Sequence, residues 1–254
     1  MAKPKLLISI HTTMETTPRA FGRRFMELLL QRDRRLTPEG LSTTERYKDP
    51  FVDLDNFVDH WWAMPDNLYV DGRLSAELVS GPAWIRRSSL VSRGMVSHGF
   101  INQKNVRIQS RLWFESHWAA DIDFFGLFCD WIALSKPSIG MLHLFTDAES
   151  RTLVDADASW FRSGSFGGPA KPGLPNIGWA MAYGREYAAE VDVSGIRAAG
   201  FLVDEIGDAL IVRVTERMSD LAENFAQFSC RRAELKSRFR PELFWIKDEA
   251  ASQA

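Results

Sequence analysis

The chain is poor in cysteine, with only Cys129 and Cys230. They could form one disulfide at most, and their apolar or helical surroundings suit free thiols in a reducing compartment. Long apolar runs are lacking too. In "MAKPKLLISIHTT" the amino-terminal lysines precede an apolar stretch reaching only from Leu6 to Ile10. That is too short for a secretory core, and no span approaches the roughly 20 apolar residues of a membrane helix. A cytoplasmic protein without a membrane partner is expected. An excess of one charge is missing as well: the formal net charge is -2, which gives no reason to expect nucleic acid as a partner.

Catalytic signatures are equally scarce. No G-x-S-x-G elbow occurs; "SGSFGG" has the letters in the wrong order, and Pro169 and Pro172 suit a loop. The same segment lacks the Gly-Lys-Ser/Thr ending of a phosphate cradle. The histidines at 11, 60, 98, 117 and 143 include no i, i+4 pair that would set two ligands on one helical face. The best metal constellation is His117 with Asp121 and Asp123, which would serve a metal-assisted hydrolase. Its competitor is ordinary: aspartates in the first turn of a helix, where negative charge is favoured. Asp53/Asp55 and Asp155/Asp157 are two apart, so neither pair shares a helix face. Pro65-Asp66 with Glu234-Leu235-Lys236 imitates a nuclease motif, but that chemistry needs strands and Glu234 lies in a helical pattern. No catalytic residue, cofactor or metal is assigned, and a non-enzyme is expected.

What is present reads as alternating local structure. "KLLISIH" (5–11) is a buried strand; after Pro18, Phe21, Phe25, Leu28 and Leu29 repeat at helical spacing on a basic helix. An acidic amphipathic helix is expected over 45–62. In "KNVRIQSRLWF", Val106, Ile108, Ser110, Leu112 and Phe114 share one face of a strand. Residues 118–134 are the most apolar helical candidate, stopped by Pro137, and 139–147 read as a strand. The stretch 163–175, with four Gly and three Pro, is a long loop within a single domain covering 1–254. A short helix then ends at Gly200, Gly207-Asp208 turns a hairpin, and Ser219 can cap a long helix. That helix buries Leu221, Phe225, Phe228, Leu235 and Phe239, and gathers Arg231, Arg232, Lys236 and Arg238 near its end. Helices mixed with antiparallel hairpins indicate an α+β fold: a mixed, largely antiparallel sheet packed with amphipathic helices.

Charge is segregated beneath the near-neutral total. From Glu45 to Glu77 there are eight acidic residues against three basic ones, and from Glu115 to Asp157 eight against two. Basic residues collect at 19–35, 86–111 and 231–240. These patches either neutralise one another on folding or leave an acidic surface that steers a basic partner. Nine tryptophans add large rings for a core, an interface or both. On the second reading, Asp53, Asp55 and Asp59 with Trp61 and Trp62 form the partner-binding surface, the indoles serving as anchors.

"GWAMAYGREYAAEVD", "IRAAGFLVDEIGDALIVRVTERMSD" and "RFRPELFWI" together resemble the carboxy-terminal half of the bacterial family known as immunity protein 52. These proteins accompany polymorphic toxins and type VI secretion effectors. The likeness covers residues 176–246; "FVDHWWAMPDNLYV" follows it more loosely. It implies a non-enzymatic inhibitor that binds a cognate toxin, often a nuclease, in a stoichiometric complex. It carries over no catalytic residues and leaves open the toxin, the blocked surface and any homo-oligomer. An effector adaptor or chaperone is the alternative without catalysis. Within "NIGWAMAYGREYAAEVD", Gly184 favours a strand followed by a break. Trp179 is then expected in the core, with Arg185, Glu186 and Glu190 facing solvent.

Overall fold

In a computed structural model, residues 3–43, 46–71, 73–102, 104–153, 156–167 and 173–247 are described. The 254 residues divide into two compact units, one of residues 10–136 and one of residues 1–9 with 137–254. The division falls inside the first strand, β1 (Lys5–Thr12), whose Leu6, Leu7, Ile8 and Ile10 are buried.

The 10–136 unit continues with α1 (Arg19–Arg32), β2 (Gly40–Ser42), β3 (Asp49–Pro50), α2 (Leu54–His60), β4 (Met64–Val70) and β5 (Arg73–Ser80). Next come β6 (Ala83–Arg86), β7 (Ser92–Ser97), β8 (Phe100–Ile101), β9 (Arg107–Ile108), β10 (Ser110–His117) and α3 (Phe124–Ser135). Its strands run in the order β10-β7-β6-β2-β3, while β4–β5 and β8–β9 are separate two-stranded ladders. Ser110, Leu112, Phe114 and Ser116 alternate inward along β10, and Leu112 lies opposite Val96 of β7. Period two here delivers Leu112 and Phe114 to the core, as the sequence pattern predicts, whereas Ile108 is partly exposed. Phe25 of α1 is the centre of this core. It stacks on Trp131 at 4.3 Å between centroids, with Trp62 at 5.7 Å and Trp84 at 6.2 Å. The buried indoles keep their polar ends bonded: Trp131 Nε1 donates to Phe25 O at 3.1 Å and Trp62 Nε1 to Thr16 O at 2.9 Å.

Two helices are shorter than their apolar patterns. The acidic helix expected over 45–62 is only α2, because Pro50 favours extended backbone before it and Asp53 takes the cap position. The Asp53 carboxylate accepts from Asn56 N at 2.7 Å. Likewise 118–123 stay non-helical, since Asp123 caps α3 by accepting from Gly126 N at 2.8 Å. Asp121 and Asp123 thus precede the helix and are not in its first turn.

The second unit adds β11 (Ile139–Phe145), α4 (Asp147–Thr152), α5 (Ala156–Ser163), β12 (Ala180–Tyr183), α6 (Val193–Ala198), β13 (Leu202–Ile206), β14 (Ala209–Arg213), α7 (Asp220–Glu223) and α8 (Phe225–Lys236). Its strand order is β13-β14-β12-β11-β1, with β11–β12, β12–β14 and β13–β14 antiparallel. The β13–β14 hairpin turns at Gly207, whose φ of 57° is the left-handed geometry that favours glycine. The carboxy-terminal helix is broken in two. Asn224, at φ −149°, leaves helical geometry and its side chain accepts from Gln227 N at 3.2 Å, whereas Ser219 makes no capping bond. Residues 168–172 of the Gly/Pro loop lie outside the described residues, as does Asp155. The loop's end is pinned: Leu174 N donates to Leu243 O at 2.7 Å, and Leu174 O accepts from Trp245 N at 2.9 Å. Within "NIGWAMAYGREYAAEVD", β12 ends at Tyr183 and a 3-10 turn follows at Ala188–Glu190. Trp179 and Tyr183 are buried, Arg185 and Glu186 exposed, and Glu190 pairs with Arg240 at 2.8 Å. The architecture is α+β, with eight α-helices among the described residues.

Candidate protein-binding surface

The expected acidic-aromatic surface comes apart at α2. Asp53, Asp55 and Asp59 are exposed, but Asp55 is paired with Arg23 and Asp59 with Arg19 at 3.0 Å. Two of the three carboxylates therefore meet guanidiniums of α1, and Asp53 serves as a cap. Trp62 is a correction: it is fully buried, within 6.1 Å of the Phe57, Phe25 and Phe21 rings. A Cβ at Gly22 would lie 2.2 Å from Trp62 Cδ2, so the indole needs a glycine on α1. Helical spacing cannot reveal that close approach. Trp61 is half-buried at the end of α2.

The metal constellation is also dispersed. Arg35 Nη2 donates to Asp121 Oδ2 at 2.7 Å and Arg32 Nη1 to Asp123 Oδ2 at 2.8 Å. His117 closes β10, and among the described residues no three His, Cys, Asp or Glu are placed to hold a metal ion. Glu234 and Lys236 lie in α8, as their helical pattern predicts.

The most tightly built polar group is one the sequence reading missed. His143 on β11, Glu149 on α4 and Arg232 on α8 are 0%, 0% and 2% exposed. Trp179 N donates to His143 Nδ1 at 3.0 Å, which makes Nδ1 an acceptor and puts the ring proton on Nε2. Nε2 then donates to Glu149 Oε2 at 2.6 Å, while Arg232 Nη1 donates to Oε1 at 2.6 Å. Burial works to raise the Glu149 pKa, but His143 and Arg232 outweigh it and hold the group at about 2. Arg232 was expected only as one of the basic residues gathered near the end of the long helix, with no partner assigned. The signal of its burial was available: Phe228, Arg232 and Leu235 fall four and three apart, on one buried face. A group this enclosed ties elements together; general acid–base work requires reach to a substrate.

Apolar side chains meet solvent at the two small ladders of the 10–136 unit. A groove of about 280 Å³ is lined by Leu78, Val79, Pro82, Met95, His98 and Phe100. Val79 also borders a second depression with Ile108 and Arg107, so it joins the two. Val79, Met95 and Ile108 are 38%, 36% and 37% exposed. Under the rim, burial lowers the His98 pKa, and its Nε2 donates to Trp62 O at 2.7 Å. A buried histidine bonded to the backbone lies at the floor of this groove. Phe100, Val79 and Met95 bring a ring and methyl groups to this groove, and Arg107 lines the adjoining depression.

Neither a family model nor a curated protein sequence matches this chain. Among solved structures it is similar to the Pseudomonas aeruginosa T6SS protein PA0821, with a TM-score of 0.60 and 11% identity. The match covers 95% of this chain and 73% of that one. At such identity the likeness is one of fold. No helix among the described residues is long and apolar enough to cross a membrane.

Proposed function

We propose that this chain is an immunity protein of a type VI secretion system, which binds a cognate toxin, of nuclease type, and neutralises it in a stoichiometric complex. The observation that carries this reading is the fold shared with a T6SS protein across 95% of the chain. It supports the same secretion context as the residue pattern of 176–246, by a separate route. The α1 arginines already answer the α2 carboxylates, so the groove around Val79, Met95 and Phe100 is the better contact candidate. Large apolar side chains ringed by polar ones suit inhibition by occlusion. The test is co-purification with the product of the neighbouring toxin gene, followed by growth rescue on co-expression. A product that neither associates with the chain nor is silenced by it would sink the reading. An adaptor or chaperone also fits the likeness to a T6SS protein. It differs in one measurable respect: its complex would retain toxin activity.

A further inference from the structure

The basic stretches 19–35 and 86–111 meet in a concavity lined by Asp33, Arg34, Arg35, Arg86 and Ser89. Two of its arginines are held by internal partners. Arg35 reaches Asp33 at 2.7 Å and Asp121 at 2.7 Å, while Arg86 Nη1 donates to Thr37 O at 2.7 Å and its Nε to Ser88 O at 3.1 Å. Arg34 differs. It is exposed in the 3-10 turn Arg34–Leu36, anchored by the buried Leu36, and its guanidinium has no hydrogen bond or ion pair among the described residues. The Ser89 hydroxyl is likewise uncommitted, and Ser89 sits at φ 59°, a left-handed conformation that a residue with a Cβ rarely adopts. Neighbouring Arg87 uses its backbone N–H on Glu39 at 2.9 Å and leaves its side chain exposed.

We propose that this concavity receives a carboxylate side chain of the partner protein, held by the fork of Arg34 and the hydroxyl of Ser89 between the fixed Arg35 and Arg86. The proposal rests on the immunity reading for the identity of the partner. A planar guanidinium fork matches one carboxylate in a bidentate pair. The flanking carboxylates of Asp33, Glu39 and Asp121 oppose a nucleic-acid backbone, whose charges come densely spaced, and tolerate a single acidic side chain. The partner surface that fits is therefore acidic here, the reverse of the basic partner that the Asp-rich segments suggest.

A test independent of the toxin uses a hexaglutamate peptide, titrated calorimetrically against the full chain at low ionic strength. Inorganic phosphate and single-stranded DNA serve as parallel probes. Arg34→Glu should weaken hexaglutamate binding about tenfold or more, in line with the loss of a charge-assisted contact. Arg238→Glu, the same charge change at an exposed residue of α8's tail, should leave binding as it was. Ser89→Gly should weaken binding while the unfolding midpoint holds or rises, because glycine accepts the backbone geometry. The proposal is overturned if hexaglutamate does not bind, if Arg34→Glu binds it unchanged, or if phosphate or DNA is preferred and lost in its place. With the toxin in hand, wild-type binding that Arg34→Glu leaves intact would sink this inference alone. Absence of wild-type binding would sink the immunity reading.

Discussion

Two sets of ionisable residues, one in each unit, make opposite use of the same chemistry. In the unit completed by residues 137–254, Glu149, His143 and Arg232 are withdrawn from water and every polar contact is internal. In the 10–136 unit, Arg19–Asp59 and Arg23–Asp55 bridge α1 and α2 in the open, with side chains 43–77% exposed. The buried set is costly to assemble and costlier to break, because an abandoned charge has no water to turn to. The exposed pairs are screened by solvent and salt, so their role is to cancel surface charge. A charged residue's contribution is thus set by its surroundings more than by its partner.

Glu149→Ala should separate the buried set from the exposed pairs by the widest margin. It leaves Arg232 buried and unpaired and should cost about 3–5 kcal/mol in urea unfolding at neutral pH. A loss as small as that of Asp55→Ala would remove the distinction. Acid provides the next largest effect. The Glu149 pKa is lowered on folding to about 2, from an ordinary value of 4.5. Its contribution is therefore complete above the unfolded value and fades as pH falls from about 4.5 towards 2, by roughly 3 kcal/mol. Glu149→Gln should flatten the acid limb of stability against pH. The smallest effect belongs to Arg23 and Asp55. A double-mutant cycle should return a coupling of about 0.2–1 kcal/mol that shrinks in molar salt. Salt-insensitive coupling above that range would show that the exposed pair behaves like the buried one.

Much of the framework was legible because it rests on local rules. The apolar run of β1, the Phe21–Phe25–Leu29 stripe of α1, the alternation of β10 and the Gly207 turn all lie where their periods put them. The helix boundaries were less accessible. Asp53, Asp123 and Asn224 each capture a backbone N–H three residues on, and a side chain that caps is indistinguishable by type from one on a solvated face. The site residues were least accessible. Trp61 and Trp62 are adjacent in sequence, yet one is half-buried and the other sealed against Gly22, forty residues earlier in the chain.

Sequence alone was enough for the α+β class, the period of the main elements and most of the apolar residues that fill the cores, Trp62 excepted. Those properties follow from side-chain spacing, which acts over a few residues. Only the tertiary structure decided which charges would meet. Arg232 finds Glu149 across 83 positions, Arg35 finds Asp121 across 86, and Arg34 is left facing solvent. Electrostatic pairing depends on distance and burial in space, and neither is encoded by separation along the chain.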